Sequence, residues 1–259
     1  MSYFLSSQPL WILIGLIVVL PTALAIVLQA LIHRWVGVDK LANNNEIGGF
    51  KFATVGVIYA VLLAFSVIAV WEKFNEGEIA VEQEAGASSA LFQYIEGKEP
   101  TASAVHAALV NYLRLAIERD WPAMGTESES PDVKQALNAT YEAALALNQT
   151  DTRTTADMTE IFTQLDNVTT ARRTRLHLAT GLVPSVIWIA LFAGAALTVG
   201  FTLFFGSKNL FAQLSMTGIL SVLVTLGLVV MVTIDYPFTG PIHIQPDPLE
   251  KVLAEHERE

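Results

Sequence analysis

The chain has 259 residues, 53% of them hydrophobic and 15% charged, with a formal charge of −10 and a mean hydropathy of +0.47. A soluble domain carries roughly 25% charged residues, so this composition points to a membrane protein, and the acidic balance argues against nucleic acid as a partner. The absence of cysteine excludes disulfides, thiolate catalysis and Cys-ligated metal or iron–sulfur centres.

Four runs, 10–32, 52–71, 182–205 and 211–234, contain no Asp, Glu, Lys or Arg. Each is about 20 residues or more, enough to cross a hydrocarbon core of about 30 Å at 1.5 Å per residue. The pattern predicts an all-α polytopic membrane protein with four transmembrane helices and an antiparallel helical bundle inserted between the second and third. Its parts are expected at 1–71 (first pair of spans), 72–181 (water-facing acidic bundle), 182–235 (second pair) and 236–259 (a Pro-rich extended tail).

The first run is read as a retained helix, because MSYFLSSQPL lacks the basic residues of a signal peptide and the apolar stretch is too long. It opens at Pro9 and carries Pro21 in its interior, where a kink is expected. Trp11 and Trp35 bracket it at the depth of an aromatic belt. The loop LANNNEIGGFK at 41–51 has two readings. One is a turn and helix cap; the other is a pathway mouth at which Asn43, Asn44, Asn45 and Glu46 concentrate ions.

The second run, 52–71, passes into the following segment without a proline. Ala60, Ala64, Val67, Trp71, Phe74, Val81, Ala85, Ser88, Phe92 and Ile95 recur at helical steps, broken once at Glu78. One helix is predicted over about 51–96, roughly 70 Å long, leaving the membrane near Trp71. Thr54, Tyr59 and Ser66 give it hydroxyls that either line a pore or bond a neighbouring turn. Val61, Ala64, Phe65 and Ile68 would make an apolar constriction that gates by dewetting.

Amphipathic segments follow at 105–116, 133–144 and 158–168, separated by GKEP at 97–100, a loop at 122–132 and a Thr-rich stretch at 150–155. The stretch leading to the third run brings Arg172, Arg173 and Arg175 into reach of Glu72, Glu76, Glu82 and Glu84. A pair such as Glu84 with Arg172 would lock the register of the two segments, or the arginines would form a gating ring. Gly194 and Gly200 in the third run permit close helix contact. Four prolines between 237 and 248 predict an irregular tail.

No enzyme motif, phosphate-binding loop or metal spacing is present, and no cofactor is expected. The spans hold no ionisable residue of the kind that coupled transporters use. Basic residues flank both membrane faces about equally, so charge asymmetry does not orient the chain.

The chain resembles a bacterial membrane family described as bestrophin-like. The likeness rests on NNNEIGGFKFATVGVIYAVLLAFSVIAVWEKF, EQEA at 82–85, NYLRLAIERDWPAM, ARRTRL, LVPSVIW and DYPFTG. It implies a relation to oligomeric anion channels with a helical cytosolic domain, and it marks Asn44, Gly48, Tyr59, Trp71, Glu84, Trp121, Arg172, Arg175, Pro184, Trp188, Asp235, Pro237, Phe238 and Gly240 as family positions. The expected function is a homo-oligomeric ion channel in a bacterial inner membrane, its domain and termini cytoplasmic, its partners the lipid bilayer, further copies of itself and small inorganic ions. The alternative is a membrane-anchored sensor or scaffold whose bundle binds a ligand or partner.

Overall fold

A computed structural model describes residues 5–95, 102–150, 155–181 and 183–257. All of the regular elements among them are helical. They are α1 (Leu10–Val36), α2 (Val38–Ala42), α3 (Asn45–Ile95), α4 (Ser103–Leu115, continued by the π turn Ala116–Asp120 and the short helix Trp121–Met124), α5 (Pro131–Thr150), α6 (Thr155–Leu178), α7 (Ser185–Phe201, followed by the short 3-10 turn Thr202–Phe204), α8 (Leu210–Ile234) and α9 (Asp247–His256). Helices α1, α3, α8 and the run Ser185–Phe204 are long and apolar enough to cross a membrane. The separators expected at 97–100 and within 151–154, and Leu182 at the start of the third run, lie outside the described residues.

The chain divides into two compact units, Met1–Glu72 with Gly181–Asp235, and Lys73–Thr180 with Tyr236–Glu259. Helix α3 belongs to both and is continuous through Trp71, as a passage without proline allows.

In the first unit α8 is the central helix, packed on α1 and α7. Its buried face carries a polar line, Gln213, Thr217, Ser221 and Thr225, at four-residue spacing. These groups are satisfied within the protein: Thr22 and Ser221 share a hydrogen bond of 2.9 Å, and Thr225 Oγ1 donates to the Ser221 carbonyl. Helix α3 meets its neighbours at glycines. A Cβ on Gly194 would lie 2.6 Å from the Tyr59 ring, and one on Gly227 would lie 2.5 Å from Leu63. Small residues are what let apolar helices approach closely where no water drives them together.

In the second unit α4, α5, α6, α9 and the later part of α3 enclose a core that includes Leu91, Phe92, Leu109, Leu113, Ile161, Leu165 and Leu249. The third amphipathic segment and the arginine cluster form one helix, α6.

Two helices contain a π turn, at Ile14–Val19 and at Ala116–Asp120. Each is followed within two residues by proline, Pro21 and Pro122. Proline removes an N–H and crowds the carbonyl four residues earlier, and a wider turn relieves both conflicts. Before Pro21, where a kink is expected, α1 carries this π turn.

Two sequence expectations change. The turn expected within 41–51 falls at Asn43 and Asn44, and α3 starts at Asn45 rather than near 51, so residues 46–51 are already helical. The segment 236–259, read as extended throughout, contains the ten-residue helix α9. Its prolines do not oppose this: Pro246 is the cap and Pro248 lies in the first turn, where a missing N–H is harmless.

Candidate functional site

The apolar part of α3 buries little within the chain. Thr54, Val61, Ala64, Phe65 and Ile68 are all exposed, with Phe65 at 69% and Val61 at 49%. Thr54, Val61, Phe65 and Ile68 fall at steps of seven, four and three, which places them along one face of the helix. Tyr59 and Ser66 point elsewhere. Tyr59 is buried on Gly194, and Ser66 Oγ donates to the Leu62 carbonyl at 2.8 Å. Val61, Phe65 and Ile68, expected at a constriction, thus share an exposed face with Thr54, whereas Tyr59 and Ser66 do not.

The Asn-rich segment divides in the same way. Asn43 ends α2, the Asn44 carbonyl accepts from Gly48 N at 2.7 Å, and Glu46 is an exposed acid in the first turn of α3. A carboxylate at that position is favoured by the helix dipole. Asn45 is a clamp: its Nδ2 donates to the Gly206 carbonyl at 2.8 Å, and its Oδ1 accepts from Gly206 N at 3.1 Å. Gly206 is required there, because a Cβ would lie 2.5 Å from Leu41 Cβ and 3.0 Å from Ala42 N. A Cβ on Gly48 would meet the Phe205 ring at 2.8 Å.

The second unit holds a buried ionic cluster. Arg175 Nε donates to Glu84 Oε2 at 2.7 Å and Nη2 to Oε1 at 3.0 Å, with both side chains inaccessible. Arg172 makes the equivalent fork with Asp120, at 2.8 and 3.2 Å, and Arg175 Nη2 reaches Asp120 Oδ2 at 3.5 Å. Two carboxylates thus face two guanidiniums in a neutral set, the condition under which buried charge is tolerated.

Neighbouring groups complete the set. Tyr112 Oη donates to Glu84 Oε1 at 2.6 Å, Ser130 N donates to Asp120 Oδ1 at 3.0 Å, and the Trp121 ring lies 4.4 Å from Arg175 Cζ. Burial raises the Tyr112 phenol well above its usual range, and the adjacent Glu84 charge adds to the rise. Burial by itself would lower the Arg175 guanidinium, but Glu84 more than offsets it and the group is held above its ordinary value. The π turn of α4 ends at Asp120 and sets that side chain inward.

The pairing expected of Glu84 with Arg172 is thus corrected: Glu84 takes Arg175, and Arg172 takes Asp120. The two arginines stand three residues apart on one face of α6, so a single turn decides which acid each one meets. Arg173, on the opposite side, is exposed, as is Glu72. Asp120 and Met124 were not singled out from sequence, and Tyr112 is legible there only as part of the apolar stripe of the 105–116 segment. The available signal was Asp120 within NYLRLAIERDWPAM, an acid directly before Trp121-Pro122.

The family positions have defined places. Trp121 Nε1 donates to the Ile244 carbonyl at 3.1 Å, and Phe238 meets the Trp121 ring edge-on at 6.0 Å. The Pro237 carbonyl accepts from Ile244 N at 2.8 Å, and Gly240 has a φ of +87°, which suits glycine. Asp235 Oδ1 accepts from Val183 N at 3.0 Å, just before Pro184 caps α7. Trp188 is buried and stacks on Phe192, whereas Trp71 is 60% exposed. Buried glutamines in the first unit were also missed: Gln29 and Gln213 both donate to the Phe205 carbonyl, at 3.4 and 3.0 Å. Among the described residues no three His, Asp or Glu side chains gather as a metal site.

Long apolar helices joined by one continuous helix to a helical unit pinned by buried ion pairs define an all-helical membrane protein. The bestrophin-like domain model matches residues 19–249, and the chain belongs to that family. A bacterial bestrophin homologue from Klebsiella pneumoniae has a similar fold, with a TM-score of 0.70 at 14% identity over 93% of this chain and 96% of that one. A single-residue variant of that homologue aligns with a TM-score of 0.70 at 15% identity, over 93% and 97%. A structure described as a membrane protein with a leucine-to-alanine substitution gives 0.73 at 13%, over 92% and 95%. No protein of curated function matches the chain.

Proposed function

We propose that this protein is the protomer of a homo-oligomeric ion channel in which α3 lines a shared pore and the helical unit forms its vestibule. The observation that carries this reading is the exposure of Thr54, Val61, Phe65 and Ile68 along one face of a helix that continues into the second unit. Family membership agrees with it, because bestrophin likeness implies oligomeric channels. An apolar constriction at Val61, Ala64, Phe65 and Ile68 would close by dewetting and open by a small displacement of α3. Four spans would leave the vestibule and both termini on one face, which the likeness assigns to the cytoplasm of a bacterial inner membrane. Exposed acids beyond the constriction, among them Glu72, Glu76, Glu78 and Glu82, would concentrate cations at the vestibule wall.

Purified, folded, oligomeric protein in planar bilayers tests the proposal. Unitary currents whose closed periods are lost when Phe65 is replaced by a charged residue, and which grow when it is replaced by alanine, are the expected result. A strict monomer in detergent, or a silent bilayer from intact oligomer, would transfer the assignment to a membrane-anchored scaffold whose bundle binds a partner.

A further inference from the structure

The Lys and Arg residues of the first unit are Arg34, Lys40, Lys51 and Lys208, and all of them stand at one end of it. Contacts among four segments tie that end together. His33 Nε2 on α1 bonds the Ser207 carbonyl at 3.2 Å, Asn45 at the start of α3 holds Gly206, and a Cβ on Gly206 would touch Leu41 on α2. Arg34 and Lys208 are therefore the chain neighbours of a bonded pair. The four cations are exposed, and among the described residues none of them pairs with a carboxylate. Only Asp39 and Glu46 oppose them at this end, which is left net positive; the unit's other acids, Glu72 and Asp235, lie at the far ends of its part of α3 and of α8. Aromatic rings accompany the charge. Trp35, Phe50 and Phe211, at 83, 81 and 81%, are the most exposed large apolar side chains among the described residues, and each lies within three residues of one of the cations.

We infer that this end of the first unit is a docking surface for anionic phospholipid headgroups, engaged by Arg34, Lys40 and Lys208. The apolar run of α1 ends here and that of α8 begins here, so the surface lies where the headgroups of a bilayer start. Aromatic rings seat at the boundary between headgroup and acyl chain, and long basic side chains reach outward from there to the phosphates. Each cation close to an anionic membrane surface contributes at most about fivefold in affinity. A zwitterionic headgroup offers the same phosphate but cancels its charge, so the surface distinguishes the two. Lys51 stands three residues before Thr54, on the exposed face of α3 already described, and the surface does not require it. The inference does not depend on conduction.

Native mass spectrometry tests it on the full chain, extracted in mild detergent from vesicles of equal dioleoyl phosphatidylglycerol and dioleoyl phosphatidylcholine. The two lipids share chains and phosphate and differ by one net charge. Wild-type protein is expected to retain phosphatidylglycerol about tenfold better, and the combined change Arg34→Gln, Lys40→Gln and Lys208→Gln should bring the ratio to within about twofold of unity. The same charge removed from exposed sites of the second unit, by Lys73→Gln, Lys134→Gln and Lys251→Gln, should leave the preference in place. Extraction at about 1 M salt, where the screening length is about 3 Å, should erase most of it. Equal retention by wild type, a preference that survives loss of the three cations, or an equal loss in both triple variants overturns the inference. So does a preference indifferent to salt. Displacement of the lipid by inorganic phosphate would make this a free-anion site and would overturn it as well. If the first triple variant does not fold, Arg34→Gln and Lys208→Gln singly decide: each should lower the ratio about twofold, and no change in either sinks the assignment.

Discussion

Arg175 and Glu84 form a forked ion pair, 2.7 and 3.0 Å, with neither side chain reached by solvent. Residues 91 positions apart are thereby fixed to each other, joining α6 to α3 inside the helical unit. Such a pair holds register more than it adds net stability, since desolvation consumes much of the Coulombic gain.

Removing one partner should therefore be worse than removing both. Glu84→Gln or Arg175→Met alone leaves a charge without its counter-ion and should cost about 3–5 kcal/mol, whereas an apolar replacement of both should recover a large share. Denaturant unfolding of the three variants in detergent checks this. Arg175→Lys should not rescue, because lysine cannot reproduce the two-point contact.

Alkaline pH should reveal Tyr112. Its phenol is raised in the folded state, so folded protein holds the proton longer than unfolded chain does. The sign follows from linkage: stability is unaffected by this group below the ordinary phenol value of about 10 and falls as pH rises beyond it, by up to about 1.4 kcal/mol per pH unit. Tyr112→Phe should lower stability at neutral pH by loss of its bond to Glu84, and should flatten this alkaline decline. Melting temperatures from pH 8 to 11 for both proteins measure the difference.

At the start of α3, Asn45→Ala should free the Gly206 backbone and destabilise the first unit by about 1–3 kcal/mol. Gly206→Ala should be at least as damaging, because its methyl would sit 2.5 Å from Leu41 Cβ. Asn43→Ala should be nearly silent. Thermal unfolding of the three variants separates a clamp from a merely polar loop.

If α3 lines the pore, Val61→Ser, Phe65→Ser and Ile68→Ser should each raise single-channel open probability by wetting the constriction. Tyr59→Phe should leave conductance unchanged, since its ring is buried on Gly194. A conductance change at Tyr59 with none at Phe65 would remove α3's exposed face from the pathway.

Much of the architecture was legible because it follows from one-dimensional quantities. Charge-free runs of about 20 residues located the apolar helices, and the proline-free passage from 52 to 95 predicted the length of α3. The candidate site was less legible. Asn45 and Asn43 are identical in sequence terms, and only the position of Gly206 makes one a clamp. Arg172 and Arg175 are equally basic, and only the rotation of α6 assigns Glu84 to one and Asp120 to the other.

The sequence by itself determined membrane character, the helical class and the length of α3, since each is a property of composition or period along the chain. The tertiary structure alone decided which polar groups are consumed by packing: Asn45 on Gly206, Tyr112 on Glu84, Asp120 on Arg172. Hydrogen bonds and ion pairs between distant residues depend on ångström-scale register, and no local pattern of residue types encodes it.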